Sequence, residues 1–196
     1  MKQSKASRIS ATDLVAELQN DPEYQLKMRT DEAERKAKVQ ELRRAEQPIV
    51  ADLRKAAVQV DSVWDLVNTS EPYPAALPVL MNHMERGGYP DRVMESLGRA
   101  LAVKPAVAFW ERIKALYLAP RSPGEEDGAA VALAACATEA QFDDLVDFLS
   151  LPQRGESRIY FIRPILKVGG NRGRELVEAL RSDVTFGKEA RALLKR

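Results

Sequence analysis

The sequence predicts an all-α chain: a helical extension over residues 1–69, then an α–α superhelix of about four helical hairpins over residues 70–196. Three observations predict this fold. Apolar residues recur at helical spacing in segment after segment, as in Leu77, Leu80, Met81 and Met84. The helical segments pair into hairpins that recur about every 31 to 34 residues, with first helices starting near residues 74, 106, 138 and 172. Small residues then crowd into second helices, above all in the run Ala129–Ala137. Such a run lets neighbouring helices approach closely, as they do inside a stack.

The extension reads as several helices. Residues 1–9 are expected to be frayed. Ser10 and Asp13 start a helix with Leu14, Val15 and Leu18 on its apolar side, and Asn20–Asp21 stop it. Pro22 takes the first position of the next helix. Residues 31–46 are strongly helical and charged, with the acid-to-base pairs Asp31–Arg35, Glu32–Lys36 and Glu34–Lys38 at i,i+4. The apolar residues there are few, which predicts an arm packed on one side only. Sustained a/d heptads are absent, against a long coiled coil. Pro48 is expected to open a new helix over 48–60, with a short one over 61–68 and Trp64 as a core anchor.

The hairpins follow. Pro78 moves the expected start of the first helix to about Leu77. Gly87–Gly88 ends it, and Asp91 opens its partner, buried through Val93, Leu97, Ala100 and Leu101. Val107, Trp110, Ile113, Leu116 and Tyr117 mark the next first helix. The acidic group Glu125–Glu126–Asp127 then suits a helix N-terminus. Thr138 and Gln141 form a capping box before Phe142, Leu145, Val146 and Leu149. Pro164 predicts either a kink or a late start in the following helix. Gly169–Gly170 makes a turn, and the chain closes on Leu176, Val177, Leu180, Phe186, Ala190, Leu193 and Leu194.

Composition limits the chemistry. The net charge is +1, so no bulk basicity demands nucleic acid. The charge is uneven: residues 70–149 carry 7 basic and 12 acidic groups, and residues 150–196 carry 11 and 5. Cys136 is the only cysteine and His83 the only histidine, so neither a disulfide framework nor a histidine-rich zinc site can form within the chain. Both are read as structural residues rather than as a thiol–imidazole dyad. Asp143 and Asp147 share a helix face, read as solvated rather than cation-binding. Gly169–Gly173 lacks the spacing of a phosphate-binding loop. The basic start has no apolar stretch behind it, and no run of 18 apolar residues exists. A cytoplasmic protein with no membrane partner, no cofactor and no metal is expected.

The spacing of the first helices, with roughly 12 residues per helix and short turns, resembles HEAT and armadillo repeats. Asp91 followed by Val93, the short loop 87–90 and the Ala- and Leu-rich runs resemble the second-helix entrance of a HEAT unit, as in a small bacterial-style HEAT repeat domain. The resemblance covers about 120 residues. It departs at Gly124 and Gly155, which precede second helices without the Asp–Val entrance. The Trp–Gly–Tyr–Ala order of tetratricopeptide repeats is not reproduced either. The resemblance implies that second helices line a concave wall, and that such a wall serves protein scaffolds and DNA-binding enzymes alike. Arg92, Arg99, Arg158, Arg163, Lys188 and Arg191 fall on those helices and are the expected partner-binding residues. The function expected is non-enzymatic binding of a protein or peptide on that face. A nucleic-acid backbone ranks second, and self-association through residues 31–60 is a further expectation.

Overall fold

The computed structural model describes residues 10–195, whose regular elements are all helical, with no β-strand among them. The expected fraying of residues 1–9 and the closing Arg196 lie outside the described residues. The chain divides into two compact units, one ending at Arg44 and one beginning at Ala45.

The first unit holds α1 (Ala11–Asn20) and most of α2 (Pro22–Lys55). Asp21 caps α2, its Oδ1 accepting the Glu23 N–H at 2.9 Å. Lys36 pairs with Glu32 at 2.7 Å, whereas Lys38 turns to Glu41 at 3.0 Å rather than to Glu34. No residue from Asp21 to Arg44 is buried.

The helix expected to begin at Pro48 does not begin there. α2 runs through Pro48 to Lys55 as one helix of 34 residues. An interior proline removes one backbone hydrogen bond and crowds the preceding turn. Here Ile49, Val50 and Leu53 are buried just beyond it, and their packing offsets that loss. Ala57, at φ 63°, closes the helix, and the Val58 N–H reaches back to the Leu53 carbonyl at 2.9 Å. The buried Glu46 then accepts from the Ser62 hydroxyl at 3.0 Å and the Val63 N–H at 3.1 Å, fixing the approach to α3 (Trp64–Val67).

The rest of the second unit is α4 (Ala76–Arg86), α5 (Asp91–Ala100), α6 (Trp110–Leu118), α7 (Pro123–Cys136), α8 (Phe142–Leu149), α9 (Ile162–Val168), α10 (Gly170–Ala179) and α11 (Gly187–Leu194). Stretches of 3₁₀-helix at Lys104–Phe109, Glu139–Gln141, Pro152–Phe161 and Leu180–Ser182 join them. α4 starts at Ala76, a residue before the expected Leu77, because Pro78 falls in the first turn, where backbone N–H groups have no intrahelical partner. For the same reason Pro164 sits in the first turn of α9, which takes the late start at Ile162.

Contacts run between elements close in sequence, and α5, α7, α9 and α11 touch one another in that order. α5 and α7 cross closely. A Cβ built on Gly98 would lie 2.2 Å from the backbone of Gly128. One built on Gly124 would lie 2.2 Å from the Asp91 carbonyl oxygen. Asp91 also accepts the Gly124 N–H through its side chain at 3.1 Å, so it opens α5 and steadies the start of α7 at once. Beyond α7 the core is aromatic: Tyr117, Phe148 and Phe161 lie mutually 5.1–5.2 Å apart by ring centroid, in tilted and edge-on geometry. Trp110 extends this cluster, its indole N–H donating to Asp144 at 2.7 Å.

Candidate functional site: a groove with a cationic rim

A hollow opens in the surface of the second unit. The hollow has a volume of about 510 Å³ and draws on α5, α7, α9, α11 and the 3₁₀ stretch before α9. Its floor is apolar. Val131, Ala134 and Ala135 of α7 leave it shallow, because the run that lets α7 close on α5 also carries little bulk on this side. Ile159, 37% exposed, and Pro164 and Val168 complete the floor. Tyr160, Arg163, Pro164, Lys167 and Val168 follow the i, i+3, i+4, i+7, i+8 pattern, so one side of a single helical path supplies a whole wall.

The rim is cationic, formed by Arg99, Lys104, Arg163 and Lys167, with Glu189 as the one acidic lining residue. Two of the cations are held in place. Arg99 donates to Glu95 through Nε at 2.9 Å and Nη2 at 2.8 Å. The Lys104 ammonium donates to the Ala137 carbonyl at 2.7 Å, which caps the end of α7. Arg163 and Lys167 stand one turn apart on α9, both exposed. Long cationic side chains over an apolar floor cover it with their methylene stems while their charges stay in water.

The six residues expected to bind a partner therefore separate. Arg99 and Arg163 come together in the groove; Arg92, Arg158, Lys188 and Arg191 are not among its lining residues. Arg92 pairs with Glu95 at 2.9 Å and lies over the Trp64 ring at 5.6 Å. Arg158 donates to the Gly155 carbonyl at 2.9 Å and the Leu149 carbonyl at 3.2 Å, and covers Phe186 at 4.9 Å. Arg191 donates to the Arg181 carbonyl, and Lys188 is exposed on α11. Lys104 and Lys167 were missed by the sequence reading. Lys167 carries the signal of its i+4 relation to Arg163. Lys104 has none, since it opens the 3₁₀ stretch Lys104–Phe109 just before Pro105 and reaches the groove only through the fold.

The remaining candidates for chemistry have structural partners. Cys136 is fully buried, and burial pushes its thiol up to about 11, so it is protonated at neutral pH. His83 is buried between Tyr89, whose hydroxyl is 2.7 Å from Nδ1, and Asp52, 3.1 Å from Nε2. Asp143 pairs with Arg172 at 2.8 Å, and Asp144 takes both Trp110 and Lys114. Glu126 accepts from Arg154 at 3.3 Å and from the Ser157 hydroxyl at 2.7 Å. Burial raises the Asp127 carboxyl, and the neighbouring Glu95 and Glu126 raise it further. Among the described residues no cluster of three or more His, Cys, Asp or Glu side chains is placed to hold a metal ion. No helix among them is long and apolar enough to cross a membrane.

His83 makes stability depend on pH. Burial holds its imidazole below the ordinary 6.5, against the opposing pull of Asp52. A base whose folded pKa is depressed binds its proton more readily when unfolded. Its contribution is thus complete above pH 6.5 and is lost as pH falls through the lower folded value. The urea midpoint is expected to fall between pH 7.5 and 5.5, and His83→Gln should flatten that slope. An equal slope in the variant would remove His83 as the cause.

Comparison of the chain with protein-family models, with curated proteins and with solved structures finds no match.

Proposed function

We propose that the chain is a short helical-repeat scaffold of the HEAT or armadillo kind, binding a protein or peptide segment in the groove along α5, α7, α9 and α11. The observation that carries this reading is the groove itself: an apolar floor beneath the four cations Arg99, Lys104, Arg163 and Lys167. Its volume of about 510 Å³ is in the range of a real binding cleft. The repeat reading is supported by the recurrence of the hairpins in sequence and by the ordered contacts of the alternate helices α5, α7, α9 and α11. The fitting ligand carries apolar side chains for the floor and carboxylates for the rim. The protein acts by holding a partner rather than by transforming it.

Display selection of random peptides on the full chain tests this. Peptides combining Leu, Ile or Phe with Asp or Glu should be enriched, and Arg163→Glu/Lys167→Glu should weaken them at least about tenfold. Both substitutions are at exposed positions, so the fold should survive them. Absence of enrichment, or equal binding by the variant, would overturn the reading. A single-stranded oligonucleotide that binds the intact chain with steep salt dependence, and not the variant, would move the groove to a nucleic-acid backbone instead.

A further inference from the structure

We infer that the arm formed by residues 22–44 of α2 pairs antiparallel with the same arm of a second copy of this chain, across a stripe of Tyr24, Met28, Val39 and Leu42. This inference is independent of the groove. A helix gains most of its stability by burying one face, and helicity without such burial is marginal. Over residues 21–44 nothing is buried, and Met28 and Val39 are 45% and 46% exposed. The steps from Tyr24 to Met28, Asp31, Arg35, Val39 and Leu42 are four, three, four, four and three residues, which keeps them on one side.

Charge selects both the partner and its direction. Residues 21–34 carry five acidic and two basic side chains, a balance of −3; residues 35–44 carry one acidic and five basic, a balance of +4. A parallel pair would set like ends together, whereas an antiparallel pair sets each acidic end on the other copy's basic end. The register follows from the stripe. With Tyr24 opposite Leu42 of the second copy, Met28 meets Val39 and Asp31 falls opposite Arg35. By the two-fold symmetry each contact occurs twice. The polar break at the centre of the stripe, which interrupts any heptad run, thus becomes two reciprocal ion pairs that fix the register.

Sedimentation of the full chain over roughly 1–300 μM tests this, a range matched to a small interface. A monomer–dimer equilibrium is expected. Val39→Asp should weaken it at least about tenfold. Leu26→Asp, on the opposite side of the helix and 67% exposed, should leave it unchanged. Asp31→Arg and Arg35→Asp should each weaken the dimer about tenfold, and the double exchange should restore it, because opposite charges face again. A monomer throughout, or a dimer indifferent to Val39→Asp, would overturn the proposal. Single exchanges that leave the dimer equal or tighter would overturn its antiparallel direction, since a parallel pair sets Asp31 against Asp31.

Discussion

Gly98→Ala is expected to destabilise the protein by about 3 kcal/mol, although alanine is the better helix former by about 1 kcal/mol. The added Cβ would stand 2.2 Å from the carbonyl carbon, Cα and oxygen of Gly128. These are backbone atoms of a facing helix, not the end of a flexible side chain. α5 and α7 can admit the methyl only by moving apart. That separation would loosen the apolar contacts of Met94 and Leu97 along the whole crossing. Gly128→Ala should cost less, since its Cβ would meet the Met94 oxygen at 2.8 Å and the Gly98 Cα at 3.3 Å. Urea unfolding followed by far-ultraviolet circular dichroism checks both. A loss below about 1 kcal/mol for Gly98→Ala would mean the two helices are not held in this crossing.

The second large effect is expected at Arg121. Glu125 is 1% exposed in the first turn of α7, and Arg121 supplies most of its hydrogen bonds. The Arg121 backbone N–H donates to it at 2.7 Å and Nε at 3.0 Å, and Nη2 adds a third contact. The same guanidinium donates to the Met84 carbonyl at 3.0 Å and lies against Gly87, so it also closes the C-terminal end of α4. Hydrogen bonding to Glu125 holds its proton more tightly than usual. Arg121→Ala would leave a buried carboxylate without its cation. Because Arg121 is itself half exposed, water can partly replace it, and a loss of about 3 kcal/mol is expected, at the low end for a broken buried pair. Arg121→Ala/Glu125→Ala should lose much less than the sum of the two single variants. Additive losses in a double-mutant cycle would show that the pair does not act as a unit.

These two positions mark where the sequence was legible and where it was not. The all-α character and most helix limits could be read from apolar spacing, from Asp21, from the Thr138–Gln141 capping box and from the first-turn role of Pro164. Pro48 misled because the rule for interior prolines is local, while the burial of Ile49, Val50 and Leu53 that holds the helix together is tertiary. The small-residue run of α7 pointed to close packing, yet it did not say that Gly98 would be the residue met there. The groove was half legible for a related reason. Arginines can be assigned to second helices by period alone. Whether each faces solvent, a neighbouring carbonyl or the hollow depends on contacts that lie far apart in sequence. Arg158 and Arg191 satisfy backbone carbonyls, while Lys104 reaches the rim from the start of a 3₁₀ stretch.

The solitary thiol of Cys136 gives the chain a chemical clock for its own opening. It sits at the end of α7, fully enclosed and protonated at neutral pH, and its Sγ lies 3.8 Å from the Leu133 carbonyl. A disulfide reagent added to the folded protein meets no other sulfhydryl, so every labelling event counts one excursion in which α7 leaves its neighbours. When reclosing outpaces labelling, the rate scales with the population of open molecules, and a tenfold change reads as about 1.4 kcal/mol. The helix that carries the glycine crossing and the floor of the groove therefore reports on both from within, with no added probe.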